Sequence, residues 1–336
     1  MSRLTTPPIA VVIANHDNEA FVEHAIESVA EQTLQNLDVV VVDDASTDGS
    51  DGVIRRTLKR LDDRRFQYIR SDDNLGQGGA IRKGLERLTA PFVCFLDSDD
   101  LWYETFLARH LEAHLNADFP VALTYCDSHI IDSAGGIVAG TAWWFDQAAE
   151  ETYCRPVDPL LVPTVSPDRR DLTYPERRAL SFFPTWQSNW ASNTTSGMML
   201  RRSFAELMLE PAWEDLRLYV DFYLSTSAAL LTGAIAIHDT LYAYRMHGSN
   251  KHSNGVVFGG AYNTSLKPWY SIRDSVFRRI VQTLKSEAVT LQAAFGKDRY
   301  DMALTQMAVA LGDDAGGNVS SKSRNRLLSY LGIARR

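Results

Sequence analysis

The sequence predicts an α/β protein, built as an open, twisted, mostly parallel sheet flanked by helices, with a helical extension at its C-terminal end. Two observations carry this prediction. Short runs of β-branched residues such as Val39–Val42 recur along the first third of the chain, which is typical of strands buried on both faces of a parallel sheet. Between these runs, apolar residues recur at helical spacing, and such alternation is typical of βαβ units.

The predicted elements follow one another in a regular order. Strands are predicted at residues 9–13, 39–42, 66–69, 92–96 and 121–125. Helices are predicted between them, around residues 21–29, 53–61, 80–88 and 107–115. Apolar residues repeat at helical spacing again between Ile272 and Leu291. We therefore expect a catalytic or binding domain over residues 1–250, carrying an insertion at 141–196, and a mostly helical extension over residues 251–336.

Composition excludes several classes of protein. The formal net charge of -8 argues against nucleic acid as a main partner. Cys94, Cys126 and Cys154 have no metal-site spacing and are interpreted as reduced thiols. No apolar run approaches the ~20 residues that span a bilayer, and the first residues lack the apolar core of a signal peptide. We expect a cytoplasmic protein, with two open alternatives: peripheral membrane association through a terminal segment around Leu327 and Leu331, and homo-oligomer formation through the C-terminal helices.

Acidic residues follow several of the predicted strands. Asp43 ends one strand, and Asp97 and Asp99 end another. Ligands of open α/β sheets bind outside the carboxyl ends of the strands, so these carboxylates are expected at one edge. Helix capping explains the neighbouring Thr47, Asp48 and Ser50 equally well, but it does not explain the three acids. Carboxylates gathered in this way indicate a divalent cation such as Mg²⁺ or Mn²⁺, or a hydroxyl-rich ligand.

A glycine-rich segment at residues 74–84 offers a place for an anion. It leads into a predicted helix that carries Arg82 and Lys83, so backbone amides and cations can meet a phosphate there. The segment lacks the spacing of a P-loop, and no dinucleotide fingerprint follows the first strand. The glycines are therefore a supporting signal only.

Together these features resemble the family 2 glycosyltransferases, which have the GT-A fold. The matching stretches are "VVIANHDNEAFVEHAIESVAEQT", "VVVVDDASTDGS", "NLGQGGAIRKGL", "FLDSDD", "VDFYL" and "YRMHGSNKH". The resemblance covers roughly residues 8 to 250. It implies transfer of a sugar from a nucleotide diphosphate, with inversion and with Mg²⁺ or Mn²⁺.

The resemblance also implies roles for particular residues. Asp43 matches the acid that recognises the nucleobase of the donor, usually uracil. Asp221 matches the general base that acts in catalysis. Glu214 and Asp215 are alternative bases, because Val220 stands where the family often has an acid. The implied nucleotide-sugar-binding residues are Ala14, Asn15, Asp43, Asn74, Gly76, Arg82, Asp97, Ser98, Asp99 and His247. The implied metal ligands are Asp97, Asp99 and His247, with the alternative that His247 only holds the closing segment in place, and the acceptor-side residues are Trp190, Asn193 and Thr194.

Other residue types are given structural interpretations. Gln77 stands where many relatives have a lysine, so one contact to the diphosphate is absent. Core packing is the preferred interpretation for the tryptophans of the middle third, with sugar stacking as the alternative; they are Trp143, Trp144, Trp186 and Trp190. A structural role is also expected for most histidines, namely His24, His110, His114 and His129.

The expected activity is metal-dependent, inverting transfer from a UDP-sugar to a hydroxyl of a glycan, a lipid-linked sugar or a small molecule, in the synthesis of a surface or exported polysaccharide. An inactive nucleotide-sugar-binding module is the first alternative. A sugar nucleotidyltransferase is the second, but it needs a glycine-rich loop with Arg and Lys directly after the first strand, where this chain has Asn15, His16 and Asp17.

Overall fold

The computed structural model describes residues 6–117, 121–140, 180–187, 194–213, 216–250 and 266–312, and only the backbone of 266–270. The strands are β1 (Ile9–Asn15), β2 (Leu37–Asp43), β3 (Phe66–Arg70), β4 (Phe92–Asp97), β5 (Leu101–Trp102), β6 (Leu123–Ile131), β7 (Ile137–Gly140), β8 (Leu180–Phe183), β9 (Met198–Arg201) and β10 (Ala234–Arg245). The helices are α1 (Val22–Ala30), α2 (Ser50–Leu61), α3 (Gly76–Leu85), α4 (Phe106–Asn116), α5 (Arg202–Leu209), α6 (Val220–Leu231), α7 (Leu266–Ser286), α8 (Ala288–Phe295) and α9 (Lys297–Ala310).

The strands form one sheet in the order β3-β2-β1-β4-β9-β6-β10-β5, with β7 beside β6 and β8 beside β10. Strands β3, β2, β1 and β4 run parallel to one another. Strand β9 lies antiparallel between β4 and β6, and β6 runs parallel to β10. The predicted fold class, an open and mostly parallel sheet with helices around it, is therefore confirmed.

The parallel register decides where the polar side chains meet. Asn15 pairs with Asp43 across β1 and β2, and Ala14 pairs with Asp97 across β1 and β4. The carboxyl ends of three strands thus coincide at one edge of the sheet, as expected for a parallel arrangement.

Both faces of the central strands are covered. In β1, Val12 belongs to a core cluster under α3, α5 and α6, whereas Val11 and Ile13 belong to a second cluster under α1, α2 and α4. Burial on both sides requires apolar residues at successive positions, which explains the unbroken apolar runs. At the edge, where the strands leave this double cover, polar side chains begin.

The helical extension packs on the same layer as α6. Phe277, Ile280 and Met307 belong to the core cluster under α3, α5 and α6. The Tyr223 hydroxyl of α6 donates a hydrogen bond to Thr283 Oγ1 at 2.7 Å. Trp186 is buried and packs edge-on against Phe277, with ring centroids 5.7 Å apart, so its interpretation as a core residue fits.

No helix in the described ranges is long and apolar enough to cross a bilayer. Several sequence predictions lie outside the described residues, among them Trp143, Trp144 and Cys154 in the predicted insertion and the terminal segment around Leu327. Membrane association and oligomer formation remain predictions.

Candidate functional site

Asp97 lies at the end of β4 and forms hydrogen bonds with two residues from other elements. The Gln77 Nε2 group of α3 donates to Asp97 Oδ1 at 2.8 Å and to Thr195 Oγ1 at 2.9 Å. The backbone N–H of Asp97 donates to Ser196 Oγ at 3.2 Å. Burial, the negative charge of Asp99 and that of Asp221 raise the pKa of Asp97 to about 7, against the effect of its hydrogen bonds. Asp99 and Asp221 therefore lie close enough to Asp97 for their charges to act on it.

Asp99 contacts residues at the end of β10 and in the segment that follows it. Its Oδ2 atom lies 3.1 Å from His247 Nε2 and 3.4 Å from the donor Nδ2 of Asn250. Arg245, at the end of β10, donates from Nε to the Asp99 carbonyl oxygen at 2.8 Å. The Arg245 guanidinium also stacks over the Phe21 ring, 4.8 Å from its centroid. The turn after β4 and the segment after β10 thus form one unit.

Asp100 and Arg245 are positioning residues that the sequence analysis did not assign. Asp100 is buried, and its Oδ1 atom accepts the backbone N–H of Arg245 at 2.9 Å. Burial and the charges of Asp99 and Asp97 raise its pKa well above the usual value. The run of three acids in four residues was a visible signal, but only the fold separates the buried Asp100 from the partly exposed Asp97 and Asp99.

Asp221 stands in the first turn of α6. Tyr219, directly before the helix, has a left-handed backbone with φ of 63°, a conformation that costs about 1–3 kcal/mol for a side chain of this size. Such strain persists where the surrounding structure fixes it. Burial raises the pKa of Asp221 to about 6, so the carboxylate is a stronger base than a free aspartate. The alternative bases Glu214 and Asp215 lie outside the described residues.

Asp43 is enclosed by protein groups. Its side chain has 0% exposure, and its Oδ1 atom accepts from Asn15 Nδ2 at 3.1 Å and from the Ser46 hydroxyl. Its Oδ2 atom forms an ion pair with Arg70 Nη1 at 3.1 Å. The side chain that reaches solvent here is Arg70, which is 40% exposed. Any effect of Asp43 on a bound nucleobase must therefore be transmitted by Asn15, Ser46 or Arg70, the residues that it contacts.

The start of α3 is fixed by Asp44, a second residue without a predicted role. Its carboxylate accepts the backbone N–H groups of Leu75 at 2.9 Å and Gly76 at 2.7 Å. Asn74 is bound on its other side by Arg217, whose Nη2 group donates to the Asn74 carbonyl oxygen at 2.9 Å. The predicted residues Asn74 and Gly76 thus lie at a junction between β2, α3 and the segment before α6.

The glycines of this segment have a packing role that the sequence did not reveal. Gly76 has φ of 77°, and a Cβ there would lie 2.7 Å from the Arg217 carbonyl oxygen. A Cβ on Gly78 would overlap the Leu216 carbonyl oxygen. The glycines allow close approach of the chain that leads to Asp221, which is the use of glycine where two backbones meet.

The other predicted residues lie at varied distances from this centre. Ala14 accepts the backbone N–H of Ser98 at 3.1 Å, beside Asp97. Arg82 is paired with Glu86 at 3.2 Å on the outer surface of α3. Thr194 bonds the Tyr242 hydroxyl at 2.9 Å. Trp190 and Asn193 lie outside the described residues.

The histidines expected to be structural are consistent with that interpretation. His110 is fully buried and bonds Thr124 Oγ1 at 2.7 Å, and His114 Nε2 lies 3.2 Å from the Met199 carbonyl oxygen. His129 bonds the Tyr103 hydroxyl at 3.0 Å. These three rings pack in the interior, whereas His24 is partly exposed on α1.

A divalent cation fits the chemistry of the edge. Asp97 and Asp99 are oxygen ligands whose mutual repulsion a cation would relieve, and His247 adjoins Asp99. In the described part of the chain, no three His, Cys, Asp or Glu side chains converge on one point. The residues therefore suit an ion that keeps only one or two protein ligands and takes others from a bound phosphate, which is the habit of Mg²⁺.

The fold and the site together define an α/β protein with acidic side chains gathered at the carboxyl edge of its sheet. The sequence profile of Glycosyl transferase family 2 matches residues 10–152, which is less than half of the chain. Residues 10–152 are therefore similar to the glycosyltransferases of this family. Asp221 and His247 lie beyond the matched range.

Individual glycosyltransferases are also similar in sequence to this chain. An uncharacterized glycosyltransferase of Nostoc sp. is 28% identical over 73% of this chain and 66% of its own length. The putative teichuronic acid biosynthesis glycosyltransferase TuaG of Bacillus subtilis is 32% identical over 32% of this chain and 41% of its own. A beta-1,3-glucosyltransferase of Campylobacter jejuni, named for GalNAc(5)-diNAcBac-PP-undecaprenol, is 31% identical over 28% of this chain and 30% of its own. The alignments thus cover less than two thirds of these relatives.

The fold has solved counterparts. The crystal structure of S. aureus TarS residues 1–349 in complex with UDP-GlcNAc covers 97% of this chain with 80% of its own, at a TM-score of 0.52 and 16% identity. The same protein in complex with UDP gives a TM-score of 0.51 at 15% identity. At this identity the likeness concerns the fold alone.

Proposed function

We propose that this protein transfers a sugar from a UDP-sugar to a hydroxyl group of a glycan or lipid-linked acceptor, with inversion at the anomeric carbon and with Mg²⁺ or Mn²⁺. The observation that carries the proposal is the group of acids at the sheet edge. Asp97 and Asp99 adjoin each other, and the charge of Asp221 reaches Asp97 from a separate helix. These residues supply the proposed diphosphate-binding pair and, from a different element, the proposed base.

Asp221 is the proposed general base. The acceptor hydroxyl attacks the anomeric carbon from the face opposite the diphosphate, and the Asp221 carboxylate takes its proton. A pKa of about 6 leaves Asp221 mostly ionised at neutral pH and still basic enough to assist. The bond to the diphosphate oxygen breaks as the new glycosidic bond forms, so UDP leaves with the electron pair.

Asp99 is the residue proposed to hold the cation, with Asp97 and His247 as alternative second ligands, and a bound cation would stabilise the charge of the leaving diphosphate. Arg245 and Asp100 keep Asp99 in place through the 2.8 Å and 2.9 Å hydrogen bonds described above. Arg82 remains a proposed phosphate contact, although its guanidinium forms an ion pair with Glu86 in this structure.

The choice of donor and acceptor rests on chemistry and on relatives. Asp43, Asn15 and Arg70 form a polar group at the edge that suits the ring N–H and carbonyls of uracil, and the similar fold of TarS binds UDP-GlcNAc. Relatives named for teichuronic acid biosynthesis and for an undecaprenol-linked glycan support a role in surface or exported polysaccharide synthesis.

A panel of UDP-, GDP- and dTDP-sugars, each with and without Mn²⁺, tests the proposal by protection against thermal unfolding. We expect UDP-sugars with Mn²⁺ to give the largest shift, followed by measurable hydrolysis of the best donor by the purified protein. Binding without any hydrolysis or transfer would instead favour an inactive nucleotide-sugar-binding module. Absence of protection by every nucleotide sugar would contradict the proposal.

A further inference from the structure

Gln77 occupies a position in the site that its hydrogen bonds define closely. It is the second residue of α3, and its Nε2 atom donates one hydrogen to Asp97 Oδ1 and one to Thr195 Oγ1. A primary amide has two N–H groups and one carbonyl oxygen. Both N–H groups are therefore used, and the Oε1 carbonyl is the remaining hydrogen-bonding group. Within the described residues this oxygen has no hydrogen-bond partner, and the side chain is only partly buried.

The amide lies between the two halves of the proposed reaction centre. On one side it contacts Asp97, whose neighbour Asp99 is proposed to hold the diphosphate through a cation. On the other side, the first turn of α3 is packed against Leu216 and Arg217, which lead into the helix of Asp221. A donor sugar whose diphosphate is held at Asp99 would therefore have its ring near Asp97 and the Gln77 amide that contacts it.

The chemistry of this position is that of a neutral acceptor. An amide oxygen accepts a hydrogen bond from a hydroxyl, and it repels a carboxylate. A lysine here would offer only donors and a positive charge. A site group that bonds a substrate hydroxyl discriminates strongly against analogues without that hydroxyl, because the group is then left unpaired.

We propose that Gln77 selects the donor sugar, its Oε1 atom accepting a hydrogen bond from one hydroxyl of a neutral, hydroxylated hexose. The proposal rests on the proposed function and deepens it, because it names the class of sugar that the site takes. Asp97 and Thr195 fix the amide by its N–H groups, so the direction of the carbonyl is set before the sugar binds.

The test is a double-mutant cycle, in which the Gln77 amide and one hydroxyl of the donor sugar are removed separately and together. Calorimetry with Mn²⁺ first identifies, among UDP-glucose, UDP-galactose, UDP-GlcNAc and UDP-GalNAc, the donor that the wild type binds most tightly. Its monodeoxy analogues are then titrated into the wild type, Gln77→Met and Thr195→Val. Gln77→Met keeps the length of the side chain without its polar atoms, and Thr195→Val removes a partner of the amide while keeping Oε1.

We expect one deoxy analogue to bind the wild type about 3- to 10-fold more weakly than the parent donor, the range of one neutral hydrogen bond. That ratio should fall to about 1 in Gln77→Met and persist in Thr195→Val, where affinities for parent and analogue fall together. Because each ratio is taken within one variant, a general loss of donor affinity does not obscure it. Gln77→Lys, which keeps the donors but lacks the acceptor, should behave as Gln77→Met does.

Two results would overturn the assignment of Gln77 while leaving the proposed function standing. One is a deoxy penalty of equal size in the wild type and in Gln77→Met. The other is a wild type that binds every monodeoxy analogue as tightly as the parent. A wild type that binds no UDP-sugar would overturn the proposed function, and the assignment with it.

Discussion

The Nε2 atom of His247 lies 3.1 Å from Oδ2 of Asp99, although 148 residues separate them in the chain. This contact ties the segment after β10 to the turn after β4. It also places an imidazole beside the carboxylate that is proposed to bind the cation, so the two should act together on metal-dependent binding.

Asp99→Ala should abolish the Mn²⁺ dependence of UDP binding, because it removes the proposed ligand together with the partner of His247. We expect an affinity loss of at least about 10-fold, in the range for losing contact to a charged group. Calorimetric titration of UDP with and without Mn²⁺ measures it. Asp38→Asn, an exposed acid at the opposite end of β2, is the control and should bind as the wild type does. Retention of Mn²⁺-dependent affinity in Asp99→Ala would contradict the prediction.

Asp221→Asn should reduce the rate of transfer by about 10²–10⁴-fold, the usual contribution of a general base, while UDP affinity stays near the wild-type value. The amide keeps the shape of the side chain and removes its basicity. Rates under saturating donor and acceptor, together with calorimetry of UDP, separate the two effects. If Asp221→Asn transfers sugar normally and Glu214→Gln or Asp215→Asn does not, the base is one of those residues.

The same carboxylate sets a pH dependence. Since Asp221 acts as a base only when ionised, and its pKa is raised to about 6, the rate should rise with pH through about pH 6 and level off above it. A profile of kcat against pH in the wild type measures this limb. The residual activity of Asp221→Asn should lack it, and persistence of the limb in that variant would assign it to another group.

Asp43→Asn should weaken UDP binding by about 10- to 100-fold, because the amide cannot hold Arg70 as the carboxylate does. The preference of the wild type for UDP over GDP and ADP should shrink with it. Asp51→Asn is a matched control, since Asp51 also faces Arg70, at 3.6 Å, but from the exposed side. Equal affinity of the wild type for the three nucleotides would refute the role of Asp43 in base selection.

Gly78→Ala should destabilise the protein by about 1–3 kcal/mol, the usual cost of overpacking, because its methyl group would overlap the Leu216 carbonyl oxygen. Urea unfolding measures the change in free energy. Gly140→Ala is the control, since a Cβ there has nothing within 4 Å among the described residues, and it should change stability by no more than about 0.5 kcal/mol. A neutral Gly78→Ala would show that the segment before α6 moves easily.

The alternation of strands and helices was predictable because it depends on local periodicity. Strands buried on both faces, such as β1 and β2, have unbroken runs of apolar residues. The helices between them have apolar residues at helical spacing along one face. The acids at the strand ends were predictable for the same reason, since the parallel register that brings Asn15 to Asp43 follows from the fold class.

What the tertiary structure decided lies in contacts between distant residues. The sequence did not reveal that β9 would enter antiparallel between β4 and β6, because that position depends on a partner strand about a hundred residues away. Nor did it distinguish the buried Asp43 and Asp100 from the partly exposed Asp97 and Asp99, since all four share one local pattern. The sequence analysis interpreted Gln77 only as the replacement of a lysine common in relatives, and only the fold brings its amide to Thr195, 118 residues further along. Periodicity is a property of neighbouring residues, whereas a hydrogen-bond partner is chosen by packing of the whole chain.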